Sequence, residues 1–235
     1  MITLIKEIPQ IDKPTVAYAK ILCHHAAYGE YEKIALFWQQ VDDDGNLTAI
    51  ISSVDNVFTL YFKGGDTEEL LSFLHAVAPS GIFTDRQTAS ILGLEILVPC
   101  TSLVKTPPHD NPNKIENTYR GIDFLCDILA ERLDMGDKAS VHADIAHRVR
   151  HNCAAYVTSD YSAGAIIYSG NLSVINGIAV KEGMASKGLG SATLNRLLEC
   201  VRSRTVFACA KDYNVPFYLK NGFVVDEEAA YCKLG

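Results

Sequence analysis

In the first hundred positions, some segments have hydrophobic residues at helical spacing and others have them at the two-residue spacing of a strand. Helical spacing predicts a helix over about Pro14–Tyr28, and a second helix capped by Asp66 and running through Ala76. Shorter alternating or apolar runs predict the strands Ala35–Gln40, Leu47–Ser52, Val57–Phe62 and Gly81–Thr84, and a short helix over Arg86–Leu92. The residues Asp42–Asn46 tolerate positive φ and predict the first hairpin turn. The resulting order is β-β-β-α-β-α.

The second half of the chain shows the same two kinds of spacing over more segments. Helices are predicted at Ile122–Leu133, Val141–Arg150, Gly190–Arg202 and Pro216–Lys220. Strands are predicted at Cys153–Thr158, Ala163–Tyr168, Leu172–Val180, Thr205–Ala210 and Val224–Leu234. The order α-α-β-β-β-α-β-α-β predicts an α/β fold with a mixed sheet, although the sequence shows no visible internal repeat.

A proline-rich seam divides the two halves. Three prolines and several turn-forming residues within Lys105–Asn113 are incompatible with a helix interior or a central strand. We therefore expect a mixed α/β domain over residues 1–104, a linker over 105–119 and a second domain over 120–235.

Composition excludes several classes of protein. No apolar run approaches the roughly 20 residues that a membrane helix needs. The stretch Met1–Glu7 lacks the basic and apolar regions of a signal peptide, so we expect a cytoplasmic protein with no membrane association. The seven cysteines are then expected to be reduced thiols. Because none forms a CxxC pair, we expect no metal site.

The net charge of −7 is unevenly distributed. Residues 1–104 carry 6 Lys and Arg against 13 Asp and Glu, whereas the remainder is balanced at 15 of each. The lack of a basic excess disfavours nucleic-acid binding. The acidic first half either maintains solubility or attracts a cationic substrate or partner.

The strongest chemical signal is a glycine-rich turn between a strand and a helix. Gly188 and Gly190 remove side chains at the point where backbone N–H groups at a helix N-terminus can bind an anion. Ser191 could cap the helix or donate to a phosphate, and Lys187 adds a positive charge. The spacing matches neither a dinucleotide fingerprint nor a P-loop, and glycines also occur at such junctions for packing alone.

Two segments in sequence resemble the GNAT (Gcn5-related N-acetyltransferase) superfamily. The run from Ala179 to Ala192 resembles the acyl-CoA-binding segment Arg/Gln-x-x-Gly-x-Gly/Ala, with matches at Gly188 and Gly190 and a departure at Ala185. The run from Asn214 to Phe223 resembles the family's C-terminal Asn…Phe-Tyr-x-x-x-Gly-Phe segment. The resemblance extends over about residues 120–235, and the first half is either unrelated or a degenerate copy.

The resemblance implies an acyltransferase that uses acetyl-CoA as donor and releases coenzyme A. It places Tyr218 as the proton donor to the departing thiolate, with a packed aromatic residue as the alternative. It also implies cofactor-binding residues at Ile178, Ala179, Val180, Ala185, Ser186, Lys187, Gly188, Leu189, Gly190, Ser191 and Asn214. Asn214 could instead serve as a helix cap.

The sequence leaves the general base open. The strand Leu172–Val180 contains no carboxylate, so proton removal would pass through water or through a group elsewhere, such as Glu182, His142, His151 or Asp160. The expected function is N-acetylation of a small-molecule or peptide amine. A homodimer is compatible with this expectation. The departure at Ala185 and the missing carboxylate favour the alternative, a non-catalytic acyl-CoA-binding or regulatory module.

Overall fold

The computed structural model describes residues 1–31, 33–106, 121–133, 137–201 and 205–235. The chain forms two compact units: unit 1 comprises Met1–Val104 with Cys209–Gly235, and unit 2 comprises Lys105–Ala208. The predicted domain over 120–235 differs from unit 2 because the last 27 residues group with the first half. The predicted linker over 105–119 lies outside the described residues except for Lys105 and Thr106.

The first half contains six strands and three helices in its described residues. They are β1 Ile2–Leu4, α1 Val16–Tyr28, β2 Ala35–Val41, β3 Leu47–Val54, β4 Val57–Phe62, α2 Thr67–Val77, β5 Gly81–Asp85, α3 Arg86–Ile91 and β6 Glu95–Lys105. The prediction omitted β1 and β6. The strand β6 contains Pro99, which normally argues against a strand but here lies opposite Ala230 on a neighbouring strand.

The second half follows the predicted order closely. Its elements are α4 Ile122–Leu133, α5 Lys138–Arg150, β7 Ala154–Thr158, β8 Ser162–Ser169, β9 Leu172–Val180, α6 Leu189–Cys200, β10 Thr205–Ala210, α7 Val215–Lys220 and β11 Val224–Lys233. A short 3₁₀ turn at Asp212–Asn214 precedes α7. The predicted order α-α-β-β-β-α-β-α-β is therefore confirmed.

In the described part of unit 1, seven strands form the order β1-β2-β3-β4-β5-β11-β6. All neighbours are antiparallel except β4 and β5, which run parallel over only three residue pairs, Val57–Thr59 against Gly81–Phe83. A core on one face includes Phe58, Leu60, Leu70 and Leu74, each fully buried. The final strand β11 thus contributes to the sheet of the first half, pairing with both β5 and β6.

Unit 2 contains β7, β8, β9 and the first four residues of β10, whose last two residues, Cys209 and Ala210, belong to unit 1. The order is β10-β9-β8-β7, in which only β9 and β10 are parallel. Their pairing is again limited to three residue pairs, Leu172–Val174 against Thr205–Phe207. The helices α4 and α5 pack on this sheet through a core that includes Leu125, Leu129 and Ile145.

The two halves repeat one arrangement that the sequence did not reveal. Each contains three antiparallel strands, then a helix, a strand parallel to the third strand, a short helix and a final strand. The repeat therefore lies in topology and register, where sequence identity is not needed to preserve it.

Candidate functional site

The helix α6 begins without a side-chain cap. Its N-cap is Gly188, whose φ of 77° lies in the left-handed region that favours glycine. The first hydrogen bond of the helix runs from Ala192 N–H to the Gly188 carbonyl at 3.0 Å. The N–H groups of Leu189, Gly190 and Ser191 therefore precede the helical ladder and point out of the helix start, where an anion is stabilised.

The loop before α6 holds its shape through backbone geometry. Gly183 and Ser186 have φ values of 72° and 63°, and Met184 N–H donates to the Lys181 carbonyl at 3.1 Å. Ala185 and Lys187 are exposed, and Lys187 Nζ lies 3.3 Å from Met184 Sδ. Apart from Gly188 and its two chain neighbours, no atom of the described residues lies within 4 Å of the place where a Gly188 Cβ would stand, so the space beside this helix start is open.

Close packing fixes the start of α6 against the strand β8. A Cβ on Gly164 would lie 2.9 Å from Leu197 Cδ1 and 3.0 Å from Thr193 Cγ2, so the helix packs closely on the strand at this glycine. The hydroxyls of Ser162 and Thr193 share a buried hydrogen bond of 2.8 Å. These contacts stabilise the orientation of the helix terminus before any ligand binds.

The strand β9 carries a bulge just before the predicted acyl-binding residues. Its pairing with β8 shifts from Ile166 opposite Ile175 to Ala165 opposite Gly177, which leaves Asn176 as the extra residue. The parallel pairing of β9 with β10 covers Leu172–Val174, and beyond Val174 no described residue of β10 is paired with β9. The backbone of Ile178, Ala179 and Val180 thus lies on a strand segment next to a bulge, as expected for a segment that binds an extended ligand.

The equivalent helix start in the first half is closed. Asp66 caps α2 by accepting a hydrogen bond from Glu69 N–H at 2.9 Å, and Glu68 lies in the same first turn. A Cβ on the preceding Gly65 would lie 2.7 Å from the side chains of Gln40 and Thr48. The carboxylates repel an anion and the space is filled, so of the two repeated helix starts only that of α6 is open to a phosphate.

Tyr218 lies in unit 1 on α7 and is 8% exposed. Its ring makes edge-to-face contacts with Phe217 and Phe223 at centroid distances of 5.0 and 5.3 Å. Burial, followed by the nearby Cys209 thiol, raises the pKa of Tyr218 above that of a free phenol. The ring is therefore packed, as the alternative interpretation of Tyr218 requires. The phenol also keeps its proton at neutral pH, which is compatible with the interpretation of Tyr218 as a proton donor.

Asn214 does not act as a side-chain cap of α7. It occupies the N-cap position at the end of the 3₁₀ turn, is exposed, and makes no capping hydrogen bond. The helix instead begins with Val215 and Pro216, whose fixed φ suits a first turn. The capping alternative is therefore wrong, and the side chain is available to a ligand.

The sequence interpretation missed Glu227. It follows a β-bulge at Asp226, because Val225 lies opposite Leu103 on β6 whereas Glu227 lies opposite Ser102. Its Oε1 atom is buried and has no hydrogen-bond partner among the described residues. An acidic residue in an alternating strand normally indicates a solvent-facing position, so only the bulge, which sequence does not show, places this oxygen inside.

The surroundings of Glu227 favour its neutral form. Burial, followed by the charges of Asp226 and Asp85, raises its pKa to about 7, although Val16 N–H and Lys13 act in the opposite direction. Glu227 in turn acts on the pKa of Cys209 and of Tyr61. A carboxyl group with a pKa near 7 exchanges protons readily under physiological conditions.

The base candidates named from the sequence lie in unit 2. Glu182, Asp160 and His151 are exposed, and His142 Nε2 lies 4.0 Å from Asp123 Oδ1. Among the residues that the structure describes, no group of three or more His, Cys, Asp or Glu side chains is arranged to hold a metal ion. No helix in that same part of the chain is long and apolar enough to cross a membrane.

Comparison with known proteins gives a likeness in structure but not in sequence. No protein-family model matches the chain, and no curated protein matches its sequence. A GNAT-family acetyltransferase from Colwellia psychrerythraea aligns over 100% of both chains at 12% identity, with a TM-score of 0.55. A Gcn5-related N-acetyltransferase from Sphaerobacter thermophilus aligns over 92% of this chain and 90% of that chain at 13% identity, with a TM-score of 0.52.

A third structure is a tandem GNAT protein from the clavulanic acid biosynthesis pathway, solved without AcCoA. It aligns over 88% of this chain and 86% of that chain at 10% identity, with a TM-score of 0.50. The chain therefore has the mixed α/β GNAT fold. The likeness covers most or all of the chain, so its expected restriction to residues 120–235 is not supported.

Proposed function

We propose that this protein is an acetyl-CoA-dependent N-acetyltransferase that acetylates an amine of a small molecule or peptide. The observation that carries the proposal is the open, uncapped N-terminus of α6 behind Gly188, within a fold whose solved examples include GNAT acetyltransferases. Fold likeness alone does not establish an activity, so the proposal rests on the roles of individual residues.

The N-terminus of α6 suits the pyrophosphate of coenzyme A. The N–H groups of Leu189, Gly190 and Ser191 supply donors, the helix dipole adds positive charge, and Lys187 lies within the same exposed loop. Because Gly188 leaves its surroundings open, a phosphate can approach the backbone closely. Acetyl-CoA would supply the thioester whose acetyl group is transferred.

The bulged strand β9 suits the pantetheine arm. This arm contains two amide groups that can pair with strand backbone, as an added peptide strand does. The bulge at Asn176 interrupts the ladder with β8 directly before Gly177 and Ile178. Backbone groups of Ile178 to Val180 would therefore bind the arm, with Asn214 as a further polar contact.

Tyr218 would donate the proton that the leaving thiolate takes. The raised pKa keeps the phenol protonated throughout the neutral range, so a donor is always present. A phenol of this kind is a weak acid, and it would act by transferring its proton as negative charge develops on sulfur.

Glu227 would accept the proton of the amine. An amine enters as its ammonium ion and must lose a proton before its nitrogen can attack the thioester carbonyl. A carboxylate with a pKa of about 7 is ionised in half of the molecules at that pH, and Asp85 and Asp226 nearby attract the cation. The proposed acceptor is therefore an amine that is positively charged in solution, consistent with the acidic excess of the first half.

Ligand competition tests the binding half of this proposal. Calorimetry with acetyl-CoA should give a saturable signal that desulfo-CoA abolishes and ADP at the same concentration does not. Competition by ADP equal to that by desulfo-CoA would show a general nucleotide site and would contradict the assignment of β9 to pantetheine. Transfer itself is tested by release of free CoA that requires an added amine.

The second candidate function is a non-catalytic acyl-CoA-binding module. Ala185, where the family pattern has Arg or Gln, and the absence of a carboxylate from β9 favour it. Glu227 weakens the second argument because it supplies a carboxyl group from another strand. Tight acetyl-CoA binding without CoA release from any amine would favour the module.

A further inference from the structure

Two cysteine thiols in unit 1 lie in direct contact. Cys100 on β6 and Cys209 on β10 are 109 positions apart in sequence, yet their sulfur atoms are 2.8 Å apart. A disulfide requires a sulfur separation of about 2.05 Å. The two sulfur atoms are therefore within reach of a bond once the side chains adopt the Cβ–S–S–Cβ dihedral of about 90° that a disulfide requires, and both residues belong to strands.

A cation lies beside this thiol pair. Lys20 on α1 extends over the ring of Phe83, with Nζ 3.9 Å from the ring centroid, and donates to Tyr231 Oη at 3.1 Å. Burial alone would lower the pKa of Lys20, but the charges of Tyr231 and Cys209 raise it, so the ammonium persists at neutral pH. A fixed ammonium group favours a thiolate in its neighbourhood.

The two thiols differ in their readiness to ionise. The hydrogen bond between the two thiols, together with Lys20, lowers the pKa of Cys209, whereas the same hydrogen bond followed by burial raises the pKa of Cys100. Cys209 is half-buried and Cys100 is 5% exposed. Cys209 is thus the thiolate that meets a reagent first, and Cys100 is its resolving partner.

Two other thiols, Cys200 and Cys153, lie in different surroundings. Cys200 is also half-buried, but burial raises its pKa to about 11 and its Sγ donates to the Arg196 carbonyl at 3.0 Å. Cys153 is buried and donates to the Arg148 carbonyl at 3.3 Å. Cys200 therefore serves as a matched control with similar exposure and a backbone carbonyl as its hydrogen-bond acceptor.

We propose that Cys100 and Cys209 form a redox-active dithiol that hydrogen peroxide converts into an intramolecular disulfide. The Cys209 thiolate attacks the terminal peroxide oxygen, the O–O bond breaks, and the departing oxygen leaves as water after taking a proton. The Cys100 sulfur then attacks the resulting sulfenic acid. The S–S bond forms as hydroxide leaves, and that hydroxide takes the Cys100 proton to become a second water. The sulfurs lose two electrons and the peroxide gains two.

Cys209 interacts electrostatically with the two proposed catalytic residues of unit 1, Tyr218 and Glu227. Its thiol contributes to the raised pKa of Tyr218, and Glu227 acts on Cys209 in turn. Oxidation removes the Cys209 thiol that contributes to the raised pKa of Tyr218. It also closes a long loop of the chain, which restricts the unfolded state and should raise the melting temperature.

Peptide mapping of the wild-type protein tests the proposal without requiring activity. The reduced protein is treated with one equivalent of hydrogen peroxide, the remaining thiols are alkylated, and digests are analysed by mass spectrometry. We expect one linked pair, Cys100 with Cys209, which returns to two free thiols with dithiothreitol. The linked pair should persist in Cys200→Ser and disappear in Cys209→Ser.

Thiol reactivity provides the second measurement. Alkylation at neutral pH should modify Cys209 at least about 10-fold faster than Cys200, because its thiolate fraction is larger. A Cys209 that stops at sulfinic acid while Cys100 remains free, or linkage of either residue to another cysteine, would overturn the proposal. Equal alkylation rates for Cys209 and Cys200 would also count against it.

Discussion

Tyr218 is the residue whose chemistry and packing are hardest to separate. The ring contacts Phe217 and Phe223, and we propose that the hydroxyl donates the proton that the departing thiolate needs. Substituting phenylalanine keeps the packing and removes only the hydroxyl, so it distinguishes a proton donor from a core aromatic residue.

We predict that Tyr218→Phe lowers kcat by about 10²-fold or more, within the usual range for loss of a general acid. The Kd for acetyl-CoA should change by less than about threefold, because the hydroxyl acts on the leaving group. Tyr213→Phe is the matched control, since Tyr213 lies five residues earlier and is 75% exposed. Unchanged acetyl transfer in Tyr218→Phe would assign Tyr218 to packing alone.

Glu227 makes a prediction for pH. Only the ionised carboxyl accepts a proton, so kcat/KM in the wild type should rise with pH and level off above an apparent pKa of about 7. Glu227→Gln should lower the plateau and lose this limb. Glu228→Gln is the control, because Glu228 is exposed and paired at the surface with Arg86 at 3.0 Å.

Glu227→Gln should also change how the free energy of unfolding depends on pH. A carboxyl whose folded pKa of about 7 exceeds its ordinary 4.5 favours folding when protonated, and this contribution is lost as pH rises between those values. The free energy of unfolding of Glu227→Gln should therefore gain on that of the wild type as pH rises from 4.5 to above 7. A constant difference across that window would contradict the buried environment assigned to Glu227.

At the scale of elements, α6 makes the most direct prediction about the cofactor. Gly190→Glu places a carboxylate at the helix start where we propose that the pyrophosphate binds, and it should weaken acetyl-CoA binding by at least about 100-fold. Asn195→Glu adds the same charge at an exposed position in the middle of α6 and should bind normally. Calorimetry measures both, and retained affinity in Gly190→Glu would refute the loop assignment.

Most elements of this fold follow from local pattern, whereas the chemistry of unit 1 does not. The strand β9 and the cap Asp66 could be predicted because periodicity and capping are local properties. The strand β6 was missed because Pro99 argues against a strand. The approach of Cys100 to Cys209 depends on which distant strands meet, and the inward turn of Glu227 depends on a bulge. Neither leaves a signal in sequence spacing.

At the scale of the whole molecule, the repeated topology raises the question of how many ligands one chain binds. The start of α6 is open, whereas the corresponding start of α2 is capped by Asp66 and crowded at Gly65. We infer that the first half is a degenerate copy of the acyltransferase arrangement that retains the fold and has lost the anion site.

We therefore predict one acetyl-CoA per chain. Calorimetric titration should give a stoichiometry near one, and Gly190→Glu should reduce the binding to none. Asp66→Asn is the companion variant: removing one carboxylate from α2 should not create a second site, because the space beside Gly65 is already filled. A stoichiometry near two in the wild type would show that the first half also binds the cofactor.

The central claim is transfer of an acetyl group to an amine. Its most direct test measures the release of free CoA from acetyl-CoA. A thiol reagent detects the free CoA, and the assay is run with and without each member of a panel of cationic amines and peptides. The account predicts release that depends on the amine, an acetylated product by mass spectrometry, and loss of both in Gly190→Glu. Binding of acetyl-CoA without amine-dependent release of CoA across that panel would contradict it.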